Sequence, residues 1–312
     1  MSISAEPTAQ EARTGVAYGL AAYLLWGFFP LYFKALAGVT PLEVLAHRIV
    51  WSVLSLALLL TLLRRWSGVR EAFVAPRIFL TLSATTLLIA VNWLVFIYAV
   101  DASKVLESSL GYFINPLVSA LLGVLFLGEK LSRNQKVSFL FAAAGVILLT
   151  IQHGELPWIA LTLAFSFGLY GLLRKQAAVD AIAGLTVETL LLFPLAAVYL
   201  GWLVYAGSSV FVTGPSHLTL LLACSGILTS TPLIWFAAAT KRLRLVTVGL
   251  MQYLVPTLHF ILAVFVFGEA FTAAHLLSFA LIWAGLVLYT IDAVKLHLAG
   301  RISADLTRSA SP

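Results

Sequence analysis

Ten runs of about twenty predominantly apolar residues follow one another along this chain, near 14–36, 43–63, 77–100, 105–127, 134–151, 157–174, 183–206, 216–240, 245–267 and 271–292. Each is long enough to cross the hydrocarbon core of a bilayer as a helix, and in lipid only helices and closed barrels satisfy every backbone polar group. The sequence therefore predicts an all-α integral membrane protein of ten transmembrane helices. Composition agrees, with 61% of residues hydrophobic, 10% charged and a mean hydropathy of +1.01. Short connections make consecutive helices antiparallel neighbours. The polar start, "MSISAEPTAQEA", lacks the basic region of a signal peptide. It reads as a disordered tail (1–13), matched by a polar tail at 293–312.

The formal charge of +6 would suit a nucleic-acid binder, but the basic residues lie in short loops between apolar runs. With the N-terminus in the cytoplasm, sixteen of the nineteen Lys and Arg fall on the inner side, Lys34 and Lys104 fall outside, and Arg48 lies inside the second span. That asymmetry predicts a multi-pass inner-membrane protein with both termini cytoplasmic, the bilayer as its surroundings and no nucleic-acid partner. The single cysteine, Cys224, excludes an internal disulfide and a thiolate cluster. No sequence feature calls for a metal or other cofactor.

The segment from Leu110 to Thr150 aligns without a gap on Leu250 to Thr290. Pro116 meets Pro256, Gly128-Glu129 meets Gly268-Glu269, Ser138-Phe139 meets Ser278-Phe279, and Ala144-Gly145 meets Ala284-Gly285, all at an offset of 140. Upstream, Trp26-Gly27 falls on Phe167-Gly168 at 141. Each copy holds five helices, an odd number, so the second enters the membrane from the opposite side. The chain reads as two inverted-topology repeats, 14–152 and 153–292, joined around Gly154. Such repeats underlie many secondary transporters that bind cargo near the midplane between the halves.

The endings "LGEKL" and "FGEAF" of spans four and nine, and the runs "AAAGVILL" and "IWAGLVLY", resemble the EamA type of the drug/metabolite transporter superfamily. Within it, "YLLWGFFPLYFKAL" (23–36), "AHRIVWS" (46–52), "NWLVFIYAV" (92–100) and "ESSLGYFINPL" (107–117) are similar to the RarD branch, named for a chloramphenicol-sensitivity phenotype. The resemblance covers about residues 14–292. It implies a cytoplasmic-membrane permease for small organic solutes, with no defined cargo.

An ionisable residue deep in a span costs roughly 2.5–3.5 kcal/mol on insertion scales, so it is paired, faces a cavity or works. Arg48 lies roughly 10 Å below the outer surface at 1.5 Å per residue, and Glu107 enters from the same side to a similar depth. Two readings stay open. Either the two charges neutralise each other and tie helices two and four together, or Arg48 draws in an anionic group while Glu107 takes a proton or a substrate amine. Asn92, Trp93, Tyr112, Asn115, Gln252 and Tyr253 complete the candidate pocket, as polar atoms for orientation and rings for bulk. Pro30, Pro116 and Pro256 are expected to kink their helices, as are Pro194 and Pro232. Glu188 is a candidate for an inner gate, His47 and His259 read as packing residues, Glu129 and Glu269 as turn or cap residues, and Lys34 as a snorkelling side chain.

No P-loop, zinc-protease motif or dinucleotide fingerprint is present, so an ATP-driven pump is not expected and a gradient must drive any uphill step. A secondary transporter of a small-molecule substrate, with no catalytic residues, is the expected function. A membrane enzyme, with Ser108 or Ser109 activated by His47, and a passive channel are the alternatives. Monomer and homodimer are both compatible with the sequence.

Overall fold

A computed structural model describes residues 9–127, 132–240, 242–243 and 251–309; Glu129, Lys130, Lys241 and Arg244 lie outside them. The described chain is helical throughout. In order the helices are α1 (Ala9–Gly27), α2 (Phe29–Ala35), α3 (Pro41–Leu63), α4 (Trp66–Val74), α5 (Pro76–Asp101), α6 (Val105–Leu127), α7 (Arg133–His153), α8 (Trp158–Gln176), α9 (Ala181–Tyr205), α10 (Val210–Thr213), α11 (Ser216–Thr240), α12 (Leu254–Ile261, continued by a π-turn over Leu262–Val266) and α13 (Ala273–Ser309). Eight stretches are long and apolar enough to cross a membrane, with α1 and α2 together forming the first. The shorter apolar helices α8 and α12 supply the other two expected spans. Large apolar side chains such as Leu62, Leu80, Leu140, Leu195 and Val198 lie on the outside, an arrangement that suits lipid and would be penalised in water.

Local signals set the helix ends. Thr40 caps α3 by accepting from the Glu43 N–H, and Pro41 opens the helix where its missing N–H costs nothing. Ser132 and Gln135 form a capping box on α7, which ends on Gly154 at φ 71°, a conformation glycine adopts without steric cost. Two expectations about proline change. Pro30 and Pro256 sit in the first turns of α2 and α12, where no intrahelical donor is lost, so neither interrupts a helix. Pro116, Pro194 and Pro232 are the prolines found inside helices.

The tails also differ from expectation. The helix α1 begins at Ala9, within the segment read as disordered, and α13 runs on to Ser309. Beyond Ile291 the chain carries no proline before Pro312 and a single glycine, so a helix already nucleated in the span elongates through it. The nine-residue α4 is too short for any span criterion; it buries Val69 and Ala72 against Ala183 and Val187 of α9.

Contacts sort the connections into two ends. Lys34 donates to Ser103 Oγ at 2.8 Å, Glu43 accepts from Val210 N, and Glu269 accepts from Val105 N and Leu106 N, while Glu107 accepts from Ile159 N. These bonds gather the α2–α3, α5–α6, α7–α8, α9–α11 and α12–α13 connections at the end of the bundle away from the termini, called here the distal end. At the proximal end Arg242 lies over the Tyr18 ring, and Gly68 of α4 meets Ala183. The helices therefore alternate in direction.

Packing repeats with the halves exchanged. The pair α1–α11 answers to α8–α5, and α6–α8 to α12–α1; α3 packs on α9, α6 on α12, and α7 on α13, each against its own counterpart. The closest approaches are reciprocal. A Cβ at Gly145 would lie 2.8 Å from Ser278 O, and one at Gly285 would lie 2.8 Å from Ser138 O. Gly27 likewise meets Leu258 as Gly168 meets Val118. Offsets of 140 and 141 in sequence are thus contacts about one pseudo-two-fold axis. Gly145→Ala and Gly285→Ala are each expected to cost about 1–3 kcal/mol by overpacking and to lower the melting temperature in detergent to a similar extent. A variant pair with sharply unequal losses would contradict the reciprocity.

Candidate functional site

On α3, Glu43, His47, Arg48 and Ser52 are buried, and Arg48 is only 6% exposed. Its Nε donates to Thr229 Oγ1 of α11 at 2.9 Å, and Thr229 in turn donates to Ser225 O. The guanidinium lies 4.2 Å from the centre of the Trp93 ring on α5, and 5.8 Å from those of Phe29 and Phe33 on α2. Attraction to the ring faces offsets part of the cost of burying the charge. Aromatic contacts carry the wall further: Phe33 meets Phe96, which touches Tyr112 of α6 and stacks at 5.1 Å on His259 of α12. The Tyr32 hydroxyl crosses to Leu221 O on α11. Residues of α2, α3, α5 and α6 thus meet residues of α11 and α12, and Arg48 lies where the two halves face each other.

The expected pair of Arg48 with Glu107 is not formed. Glu107 Oε1 instead accepts from Ile159 N at 3.0 Å, in the first turn of α8, where a carboxylate meets unsatisfied N–H groups and the positive end of the helix dipole. Two other acids serve the same purpose. Glu269 takes Val105 N and Leu106 N of α6, both at 2.8 Å, and Glu43 takes Val210 N at 2.9 Å. Glu107 and Glu269 border a distal cavity of about 380 Å³ that also touches Lys104, Glu155 and His275. Glu269 caps a helix 164 residues away in sequence, in the other half, so its role as a cap extends beyond its own turn.

Removing the Glu269 carboxylate leaves two N–H groups without partners. Glu269→Ala is expected to cost about 3 kcal/mol, the range for charge-assisted bonds with a buried partner, and Glu269→Gln about half of that, because an amide offers one acceptor. Thermal unfolding in detergent measures both; an unchanged midpoint would mean that the cap carries no stability.

The remaining expected residues divide. Trp93 and Tyr112 join Arg48. Asn92 does not: its amide donates to Leu163 O at 3.1 Å and Ser166 Oγ at 2.9 Å, tying α5 to α8. Asn115 is buried with Oδ1 lacking a partner and facing Gly168 of α8. Tyr253 reaches Thr290 on α13, and Gln252 is half-buried in the turn before α12. His259 Nε2 lies 3.2 Å from Trp26 O, and His47 stacks on Phe211. Thr229, Phe29, Phe33 and Phe96 belong to the site without having been singled out. Thr229 had a signal, a hydroxyl in mid-span, whereas phenylalanines in an apolar helix carry none.

At the proximal end Glu188, fully buried on α9, accepts from Thr85 Oγ1 at 2.6 Å and Tyr170 Oη at 3.2 Å, with Arg174 Nε 3.8 Å away. This is the one ion pair among the described residues. Arg48 and Glu188 occupy equivalent places in the two repeats, 140 residues apart, and each bonds a threonine on a helix of the other half. Equivalent positions of the two repeats thus carry residues of opposite charge, Arg48 and Glu188.

Comparison with known proteins places these features in a family. Residues 13–151 match the EamA-like transporter family. A protein of Vibrio cholerae described as an uncharacterized transporter is 46% identical over 295 residues, covering 95% of this chain and 98% of its own. Protein RarD of Escherichia coli is 44% identical over 286 residues, covering 92% and 97%. The chloramphenicol-sensitive protein RarD of Pseudomonas aeruginosa is 35% identical over 286 residues, covering 90% and 95%. A crystal structure that is 21% identical, covering 91% of this chain and 99% of its own, superposes with a TM-score of 0.56 and shares the fold.

Proposed function

Since the chain belongs to the EamA-like transporter family, in its RarD branch, we propose that this membrane transporter is a secondary active carrier. It moves a small organic solute across the cytoplasmic membrane by alternating access, with the solute held at Arg48, Trp93 and Tyr112. The observation that carries this reading is a buried arginine at the seam of two inverted halves, in contact with both and paired with no carboxylate among the described residues. An inverted repeat gives two states of equal topology, one open to each side. The halves already differ in one respect that such an exchange requires: α6 runs unbroken past Pro116, whereas α12 begins at Leu254, two residues before the equivalent Pro256, and ends in a π-turn. Glu43, Glu107 and Glu269 hold the distal end across the halves, and the Thr85–Glu188 bond does so proximally. One set must release while the other holds.

The distribution of Lys and Arg supports cytoplasmic termini, so that the distal end is periplasmic. A passive channel would not need a closed seam at both ends, and an enzyme would need an activated nucleophile; Ser108 and Ser109 instead donate to backbone carbonyls at Val105 and Pro256. Glu188, held between Thr85 of one half and Tyr170 of the other, is a second carboxylate beside Glu107 placed for linkage to a proton.

Ser225, buried one turn from Thr229 on α11, is the reporter of choice. In a Cys224→Ala background, Ser225→Cys is expected to react with a membrane-impermeant thiol reagent both in right-side-out and in inverted vesicles. Reaction from one side alone, or from neither, would contradict alternating access.

A further inference from the structure

Among the described residues, the buried and half-buried acids that could neutralise Arg48 are committed elsewhere. Glu43, Glu107 and Glu269 hold the N–H groups of α10, α8 and α6, and Glu188 is bonded by Thr85 and Tyr170 beside Arg174. What faces Arg48 is neutral: the rings of Trp93, Phe29 and Phe33 and the hydroxyl of Thr229. A buried charge without a counter-ion is among the most costly features a membrane protein can carry, and a permanent structural role would be served as well by a neutral side chain. The guanidinium is also held in a fixed plane, by the Thr229 bond at Nε on one edge and by the Trp93 face 4.2 Å away. Its two terminal amino groups form the planar fork that matches a carboxylate.

From this geometry, and resting on the carrier reading above, we propose that the cargo is an organic monoanion whose carboxylate docks on the Arg48 fork while a flat apolar body lies among Trp93, Phe96 and Tyr112. The charge count gives the valence. Lys34, the basic residue nearest along the chain, is engaged with Ser103 and the Phe267 ring at the distal end, and the described contacts of Arg48 include no second cation. The walls give the body: rings from α2, α5 and α6 meet edge to face and form an apolar lining whose chemistry suits an aromatic or compact aliphatic group. A neutral analogue would leave the fork unpaired in a site built for an anion, and the penalty for that is large.

The test uses the purified full chain and three matched probe pairs: benzoate and benzamide, phenylacetate and phenylacetamide, indole-3-acetate and indole-3-acetamide. Ligand-induced stabilisation measured against concentration gives each affinity. At least one acid is expected to bind saturably and at least tenfold more tightly than its amide, with that preference abolished in Arg48→Gln and reduced in Arg48→Lys. Trp93→Leu, which keeps the charge, is expected to weaken acid and amide together and guards against a misfolded arginine variant. Equal binding of acid and amide, a preference that survives in Arg48→Gln, or no saturable acid in the series would overturn the proposal. The thiol-reactivity experiment separates the two readings. Two-sided reaction without acid preference leaves the carrier standing and the anion rejected, whereas one-sided reaction rejects the carrier whatever the preference.

Discussion

Arg48→Gln is expected to reduce transport by about a hundredfold while leaving the protein at least as stable as the wild type. The direction of the stability effect follows from burial. Arg48 is desolvated with no carboxylate to repay the cost among the described residues, so a neutral amide that still reaches Thr229 removes a penalty. The loss of function follows from the fork, whose charge-assisted bonds to a bound group contribute about 3 kcal/mol, equivalent to roughly two decades in rate or affinity. Arg48→Lys keeps the charge but not the two parallel donors, and is expected to fall between the two. Uptake into proteoliposomes of a carboxylate that the wild type binds, read beside the melting temperature, separates these effects. A glutamine variant with normal uptake, or one that unfolds, would show that Arg48 is a structural charge.

Gly226→Ala is expected to produce the opposite signature, a loss of stability as well as of function. Gly226 lies one turn from Thr229 on α11, and its Cα faces the backbone of α3 so closely that an added Cβ would meet Trp51 O and come within 2.8 Å of Ser52 N. Backbone cannot step aside as a side chain can, so the helices must separate. Overpacking costs about 1–3 kcal/mol, more where nothing can give, and separation stretches the 2.9 Å bond between Arg48 and Thr229. A lowered melting temperature together with lost acid preference is the expected result. An alanine variant with wild-type stability would mean that the α3–α11 contact does not set the geometry of the site.

The fold was legible in the sequence because the bilayer imposes its own length scale. Apolar runs of about twenty residues match the thickness of the bilayer, and the single offset linking Pro116 to Pro256 and Gly145 to Gly285 indicates how the halves relate. What escaped was whatever span length does not govern. The nine residues of α4 bury only Val69 and Ala72, and the continuation of α13 past Ile291 depends on helix propensity in a polar stretch.

The site was harder to read, for a geometric reason. Sequence gives the depth of a residue along its helix but not its direction around the axis. Glu107 and Arg48 lie at similar depths with opposite charges, yet Glu107 turns toward the start of α8 and Arg48 toward α11. Helix capping between distant segments was equally invisible, since Glu269 serves N–H groups more than 160 residues away. Arg48, Trp93 and Tyr112, which the fold brings to one place, could be nominated from sequence because a cation and large rings with polar edges in mid-span have few other uses. Their partner Thr229 emerges only once the halves are folded together.

The central claim is that the two ends of the seam open in turn. Paired spin labels measure this directly, one pair at the distal end on Asp101 and Ala270, the other at the proximal end on Arg13 and Ala178, all exposed positions on opposite halves. Each pair is expected to give two distances, and conditions that lengthen the distal distance are expected to shorten the proximal one. A single fixed distance at both ends, or two ends that widen together as in a channel, would contradict the account.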